Sequence, residues 1–372
     1  MLFLNNDDVQ RLLIMPDCIR VQEEAFRGLE TGESIHRPRI DVYAPCERED
    51  GYWRWGTMEG ATRSPGPYFA IRMKSDVIQW STDATSGLAR EDKYCREPGT
   101  YCGLIMLFST RNGEPLAIIN DGHLQHMRVG GGAGIGAKHL AKENATRLGI
   151  IGSGGMARTY LMALMAVRPL TSVRVYSPNP SNRLAFAREM QYLGIEITAV
   201  DSAQKAVQGT DIVASCTSSM TPTLEPEWLE PGMHITNLGP FELSEALLKS
   251  VTTVIRQGDG GAVKAEGETN PRIQSGVGHS PLAYIAGTET EMQRLPPPRS
   301  QTLFRSEFPD FNDLVSGRSP GRLGDDDVTV YINGGNQGLQ FASVGGLVYE
   351  AARSQLIGRE LPTEWFLQTI RD

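Results

Sequence analysis

Gly152-x-Gly154-x-x-Ala157 follows directly on the short apolar run Arg147-Leu-Gly-Ile-Ile151 and opens a helical stretch that continues to Val167. That order of strand, glycine turn and helix constrains the fold more than any other feature of the chain. Gly152 permits the tight turn, Gly154 lets a pyrophosphate approach the backbone, and Ala157 lets helix and strand pack closely. The helix N-terminus then offers N–H donors and a positive dipole to the phosphates. Alone the motif is weak. Here it heads an alternation: a strand over 172–176, a helix over 181–193, a strand over 195–200, a helix capped by Asp201 and Ser202, and further strands over 211–216 and 233–237. Such spacing specifies a doubly wound parallel sheet of Rossmann type.

Gly152, Ser153, Gly154, Gly155, Met156 and Ala157 are therefore candidate cofactor residues. Thr217, Asn237 and Gly239, at the ends of the fourth and fifth strands, join them. An NAD-specific site places a carboxylate at the end of the second strand for the ribose hydroxyls. Between Asn144 and Arg188 this chain has no Asp or Glu; it has Arg147, Arg158, Arg168, Arg174, Arg183 and Arg188. Ser177, Asn179 and Arg183, just past the second strand, suit a 2′-phosphate, so NADP is favoured and NAD is the alternative. The competing reading of these arginines is solvated helix surface, expected for Arg168 and Arg188.

The regions on either side have another character. The segment 7–29 reads as a helix interrupted at Pro16, which starts a second one. In Tyr68-Phe-Ala-Ile-Arg-Met-Lys-Ser-Asp76, strand alternation puts Phe69, Ile71 and Met73 on one face and Ala70, Arg72 and Lys74 on the other. Asn112-Gly113 turns a hairpin between two apolar strands. The glycine cluster Gly130 to Gly136 has no strand leading into it, so it reads as a small-residue helix face rather than a phosphate loop. A strand over 328–332 and a helix over 337–354 close the chain. His123 and His126 have no third ligand in register, so no metal site is expected.

With 36 Lys+Arg against 44 Asp+Glu the net charge is −8, which argues against nucleic acid or a membrane surface as partner. The longest apolar run, about seven residues, is too short to span a bilayer. Five scattered cysteines without a Cys-x-x-Cys pair fit a reducing compartment, so a soluble cytoplasmic protein is expected.

Pro38-Arg39-Ile40, the Phe69 to Lys74 strand, Leu124-Gln-His-Met-Arg128 ahead of the small-residue helix, Gly149 to Ala157, Gly232-Met-His-Ile-Thr-Asn-Leu-Gly239 and Asp327-Val-Thr-Val-Tyr331 together resemble the ornithine cyclodeaminase/μ-crystallin family. The resemblance implies a split α+β domain, residues 1–126 and 326–372, that binds substrate and forms a homodimer. The Rossmann-type domain, residues 127–325, is inserted between its two parts. It also implies that basic side chains hold the carboxylate of an amino or imino acid. Matched onto this chain, the resemblance points to Arg39 and Arg128 for two of these, to the pair Arg72 and Lys74, either of which can stand for the family's strand lysine, and, by spacing to Gly113-x-Pro115, to Thr100 as a further polar contact. Cyclodeaminases proper carry an Asp after the fifth strand. This chain has Gly239-Pro-Phe241-Glu242, where Glu242 replaces that Asp with a one-residue shift or the role is lost. Two insertions add Tyr52-Trp-Arg-Trp55 with Met58 and Glu59, and a charged loop over 81–99; each reshapes the pocket or covers a subunit interface.

The expected function is an NAD(P)H-dependent oxidoreductase acting on a small 2-imino or amino acid, with Lys74 and Arg72 as catalytic candidates and Lys74 as proton donor. The alternatives are an ammonia-releasing cyclodeaminase using catalytic NAD, and a non-catalytic NADPH-binding protein.

Overall fold

The computed structural model describes residues 1–82, 89–299 and 307–370. Seven short strands form an all-parallel sheet in the spatial order Glu196–Ala199, Ser172–Tyr176, Arg147–Ile151, Ile212–Ser215, His234–Asn237, Thr329–Ile332 and Thr253–Arg256. Its central strands are buried on both faces, which is why they read as continuous apolar runs. The helix Gly122–Leu140 packs along this sheet, and its glycines let neighbours close in. Gly130 lies against the Thr159 carbonyl, Gly134 against Ile19 and Gly136 against the Tyr331 ring. The cluster is thus a packing face.

The second sheet is mixed. Its central path runs Ile35–Pro45, Gly51–Thr62, Tyr68–Thr82, Cys102–Ser109 and Pro115–Asn120, all antiparallel neighbours, with Gly113 at φ +79° in the hairpin turn. Helices Met15–Thr31 and Gln337–Gln355 cover its inner face over the largest apolar core. The second helix lies almost on the strand Gly51–Thr62: a Cβ at Gly60 would meet the Leu339 nitrogen, and one at Gly338 the Glu59 backbone.

Four placements differ from the sequence expectation. Thr329–Ile332, expected with the substrate-binding part, lies inside the parallel sheet between His234–Asn237 and Thr253–Arg256. The hairpin Ile273–Val277 and Ser280–Ile285, within the 127–325 stretch, joins the other sheet beside Ile35–Pro45, because its inner residues complete the small core around Tyr43 and Tyr52. Within the 81–99 insertion, residues 83–88 lie outside those described, and Ala89–Cys95 is a strand paired to the end of Tyr68–Thr82 rather than a loop. Arg168 is buried, not solvated, and its guanidinium donates to the carbonyls of Lys138, Ala141 and Lys142 at the end of the glycine-rich helix. Among the described residues no helix is long and apolar enough to cross a membrane, and all five cysteines are unpaired.

Candidate active site

A cleft of about 620 Å³ runs between the two sheets. One wall is the turn after Arg147–Ile151 with the N-terminus of helix Gly155–Val167. Gly152 sits at φ +105°, where a side chain would strike the Cys216 carbonyl, so the turn closes only on glycine. A Cβ on Gly154 would meet nothing within 4 Å: it points into open cleft, where a pyrophosphate can reach the amides of the helix N-terminus. These residues fit a dinucleotide. Gly152, Ser153, Gly154, Gly155, Met156, Ser177, Thr217 and Gly239 all line the cleft.

Four other cofactor candidates do not line it. Ala157 is buried against the sheet. Asn179 caps helix Pro180–Glu189 through the Ser181 nitrogen. Asn237 is buried, donating to the Gly239 carbonyl at 2.8 Å and accepting from the Asn333 nitrogen, so it shapes the wall from behind. Arg183 donates to the Ser177 carbonyl at 2.7 Å and lies over the Tyr176 ring, at the end of the second strand but in a shallow depression outside the cleft.

The opposite wall carries the charges. The inner, buried face of Tyr68–Thr82 is the one bearing Arg72, Lys74 and Asp76, while Phe69, Ile71 and Met73 point outward. Arg72 is tied to Asp121 at 2.5 Å. Arg128, on the Gly122–Leu140 helix, meets only amides: Gln340 at 2.8 Å and Gln125 at 2.8 and 3.2 Å, with the Phe341 ring below. Burial, then the neighbouring Arg72, push its pKa down to about 9. A guanidinium held that way keeps its charge and lacks an anion.

Lys74 makes no hydrogen bond or ion pair among the described residues, yet it is buried and lines the cleft. Its neighbours across the sheet are both glycines, in the row Asp41, Gly56, Lys74, Gly103. A Cβ on Gly56 would strike Asp41 and the Lys74 side chain, and one on Gly103 would strike Asp121. The missing side chains make room for two carboxylates and one ammonium. Burial, and after it the positive charges of Arg39 and Arg54, hold Lys74 well below the usual lysine range. Arg39 lines the same wall, bound through Nε and Nη2 to Asp41 at 3.2 and 2.6 Å. Burial alone would raise the Asp41 carboxyl; Arg39, Lys74 and Arg54 outweigh it and hold it well below the usual range.

Thr100 lies outside the cleft: it is exposed, and its hydroxyl donates to the Cys95 and Glu97 carbonyls of its own turn. Its neighbour Tyr101 lines the cleft instead, as do Lys93 and His126. Sequence reasoning missed these three, since strand pairing across the insertion and the ring packing of His126 on Gly155 leave no local signal. Trp53 and Trp55 stack on each other on the outer face, whereas Arg54 and Met58 point inward, as alternation requires. Glu242 does not reach the cleft as a replacement acid. It is wholly buried and accepts from the nitrogens of Thr217, Leu238 and Gly239 and from the Thr217 hydroxyl, at 2.6–2.7 Å. No cluster of three or more metal-ligating side chains occurs among the described residues.

The model of the ornithine cyclodeaminase/mu-crystallin family matches residues 91–355. Delta(1)-pyrroline-2-carboxylate reductase of Bacillus cereus is 28% identical over 270 residues, covering 70% of this chain and 74% of the relative. Alanine dehydrogenase of Archaeoglobus fulgidus is 26% identical over 365 residues, covering 97% and 98%. The solved structure of Thermococcus litoralis Delta(1)-pyrroline-2-carboxylate reductase with NADH and L-proline shares the fold, with a TM-score of 0.73 at 24% identity over 97% of this chain and 100% of that one. The two-sheet architecture, the dinucleotide turn and the matched span agree: the chain belongs to the ornithine cyclodeaminase/mu-crystallin family.

Proposed function

We propose that this protein is an NAD(P)H-dependent oxidoreductase that interconverts a 2-imino acid and its amino acid. The observation that carries the reading is Arg128, a buried guanidinium without an acidic partner among the described residues, across one cleft from a dinucleotide turn. The substrate α-carboxylate completes Arg128 with charge-assisted bonds, with Arg72, already held by Asp121, beside it. That anchor fixes the C=N bond against the nicotinamide, and positioning lowers the barrier. The bound nicotinamide supplies or accepts the hydride. Lys74, two residues along the strand from Arg72, gives its Nζ proton to the imine nitrogen; burial and the neighbouring cations hold it below the ordinary lysine range, which makes its ammonium a readier donor than a solvated one.

The inward turn of Glu242 leaves the cleft without the acid that a cyclodeaminase places after the fifth strand, which favours the reductase over the lyase. We assign NADP(H) as the preferred nucleotide, because the cleft wall just past the second strand carries the Ser177 hydroxyl and no Asp or Glu occurs between Asn144 and Arg188 to bind a free 2′-hydroxyl. The apolar outer face of the mixed sheet, with Trp53, Trp55, Phe69, Ile71, Met106 and Phe108 only partly buried, supports pairing with a second copy of the chain. The unpaired cysteines support a reducing cytoplasm.

The test follows NADPH and NADH absorbance separately, against 2-oxo acids with ammonia or methylamine and against preformed cyclic imines. Oxidation of NADPH in preference to NADH is expected. Oxidation of neither, while nucleotide binding is retained, would overturn the reading.

A further inference from the structure

The charges lining the cleft do not balance at either end. Inward residues of Tyr68–Thr82 recur at about 6.7 Å, which sets Arg72, Lys74 and Asp76 in a row. Lys93 pairs opposite Ile78 and so shares that face, beyond Asp76. At one end of the row Arg72 and Arg128 face a single carboxylate, Asp121. Toward the other, the four cations Arg39, Arg54, Lys74 and Lys93 face three carboxylates, Asp41, Asp76 and Glu91. Each end is one anion short among the described residues. His279, 3.4 Å from Glu91, would widen the shortage if protonated.

The surplus at the far end can be located. Arg54 is fully engaged, with Asp76 at 2.8 and 3.0 Å and Glu91 at 3.1 Å. Asp41 is taken by Arg39 and by the Ser280 hydroxyl. What remains toward the cleft is Nη1 of Arg39 and the ammonium groups of Lys74 and Lys93, none of which has a hydrogen-bond partner among the described residues. Cations lining one cleft, Lys74 buried, Arg39 half-buried and Lys93 at the rim, repel one another until an anion arrives.

Resting on the reductase reading, which gives the Arg128 end to the α-carboxylate, we propose that the substrate carries a second carboxylate, seated by Lys93 and Arg39. The enzyme then takes a dicarboxylic imine in preference to a small monocarboxylic one. That chemistry has two sources. The second carboxylate is either on the carbon chain, in a 2-oxo dicarboxylic acid condensed with ammonia, or on the nitrogen, in a 2-oxo acid condensed with an amino acid. In both, water leaves as C=N forms. The imine carbon then gains a hydride from the reduced nicotinamide, which is oxidised by two electrons, and the nitrogen gains a proton.

Matched substrates separate these cases. With ammonia, 2-oxoglutarate is compared with 2-oxovalerate; with pyruvate, glycine is compared with methylamine. In at least one pair the dicarboxylic imine should have a kcat/KM at least tenfold higher. Lys93 is exposed at the cleft rim, so its variants should fold. Lys93→Gln should bring that ratio close to one, chiefly through KM, and Lys93→Arg should restore it. Equal or better use of the monocarboxylic imine in both pairs, or a ratio that survives Lys93→Gln, would overturn the proposal. If no imine in either pair is reduced, the reductase reading itself fails, and calorimetry decides the second carboxylate alone. Succinate binding tighter than butyrate to the NADP-loaded protein, and weakened by Lys93→Gln, would sustain the proposal; equal affinities would overturn it.

Discussion

Glu242 joins the ends of two strands of the nucleotide sheet, and its replacement has a pH signature whose sign follows from its surroundings. Its side chain is wholly buried; Thr217 binds one oxygen, and the Leu238 and Gly239 nitrogens bind the other. Burial pushes its pKa up to about 6, against the opposing pull of those hydrogen bonds. In the unfolded chain the group titrates near the ordinary 4.5. Between those values the folded state holds the proton and the unfolded state does not. This group's contribution to stability therefore falls as pH rises through the interval and is fully lost above the folded value. The rise is worth about 2 kcal/mol.

Glutamine does not titrate. Its NH2 would also have to face N–H donors on one side or the other, leaving at least one unsatisfied at about 1–3 kcal/mol. Urea unfolding of the wild type and Glu242→Gln at pH 4 and pH 7.5 measures both effects. Wild type should exceed the variant by about 2 kcal/mol more at pH 4 than at pH 7.5. A difference that is flat, or that grows with pH, would refute a buried carboxylate strained by desolvation.

Two further outcomes concern the opposite wall. Lys74→Met should lose turnover by about 100-fold or more while still binding nucleotide, as expected for a proton donor; unchanged turnover, measured beside nucleotide fluorescence titration, would remove Lys74 from the mechanism. Gly56→Ala inserts a methyl between Asp41 and the Lys74 side chain and should cost about 1–3 kcal/mol by overpacking. It should also raise KM for the imine with little change in nucleotide affinity, and an unaltered KM would show that the row of glycines does not set the lysine's position.

The nucleotide-binding half was legible because its strands are buried on both faces and its turns need glycine. Gly152, the apolar runs and the helix caps each carry a local signal. Thr253–Arg256 escaped because it is four residues long and begins at a threonine. The hairpin 273–285 escaped because Gln274, Ser275 and Ser280 look like loop residues until they are paired beside Ile35–Pro45. Alternation along Tyr68–Thr82 was readable, but not which face turns inward. Hydrophobicity alone would bury Phe69, Ile71 and Met73, whereas the core-side helix and Asp121 draw in Arg72 and Lys74. The Arg54 centre joins residues 37 apart in the chain, and Arg128 meets Gln340 across 212. Contacts at that separation leave no trace in local spacing. Glu242 was visible as an acid after the fifth strand; only the fold shows that its carboxylate closes on backbone nitrogens.

Hydride transfer to a C=N carbon can be observed directly by supplying NADPH deuterated at C4, in each stereochemical form, with a 2-oxo acid and ammonia, and locating the label by mass spectrometry. Deuterium from one of the two forms, carried to the α-carbon of the resulting amino acid, is the predicted result. An unlabelled α-carbon with both forms, while the amino acid is still formed, would contradict it.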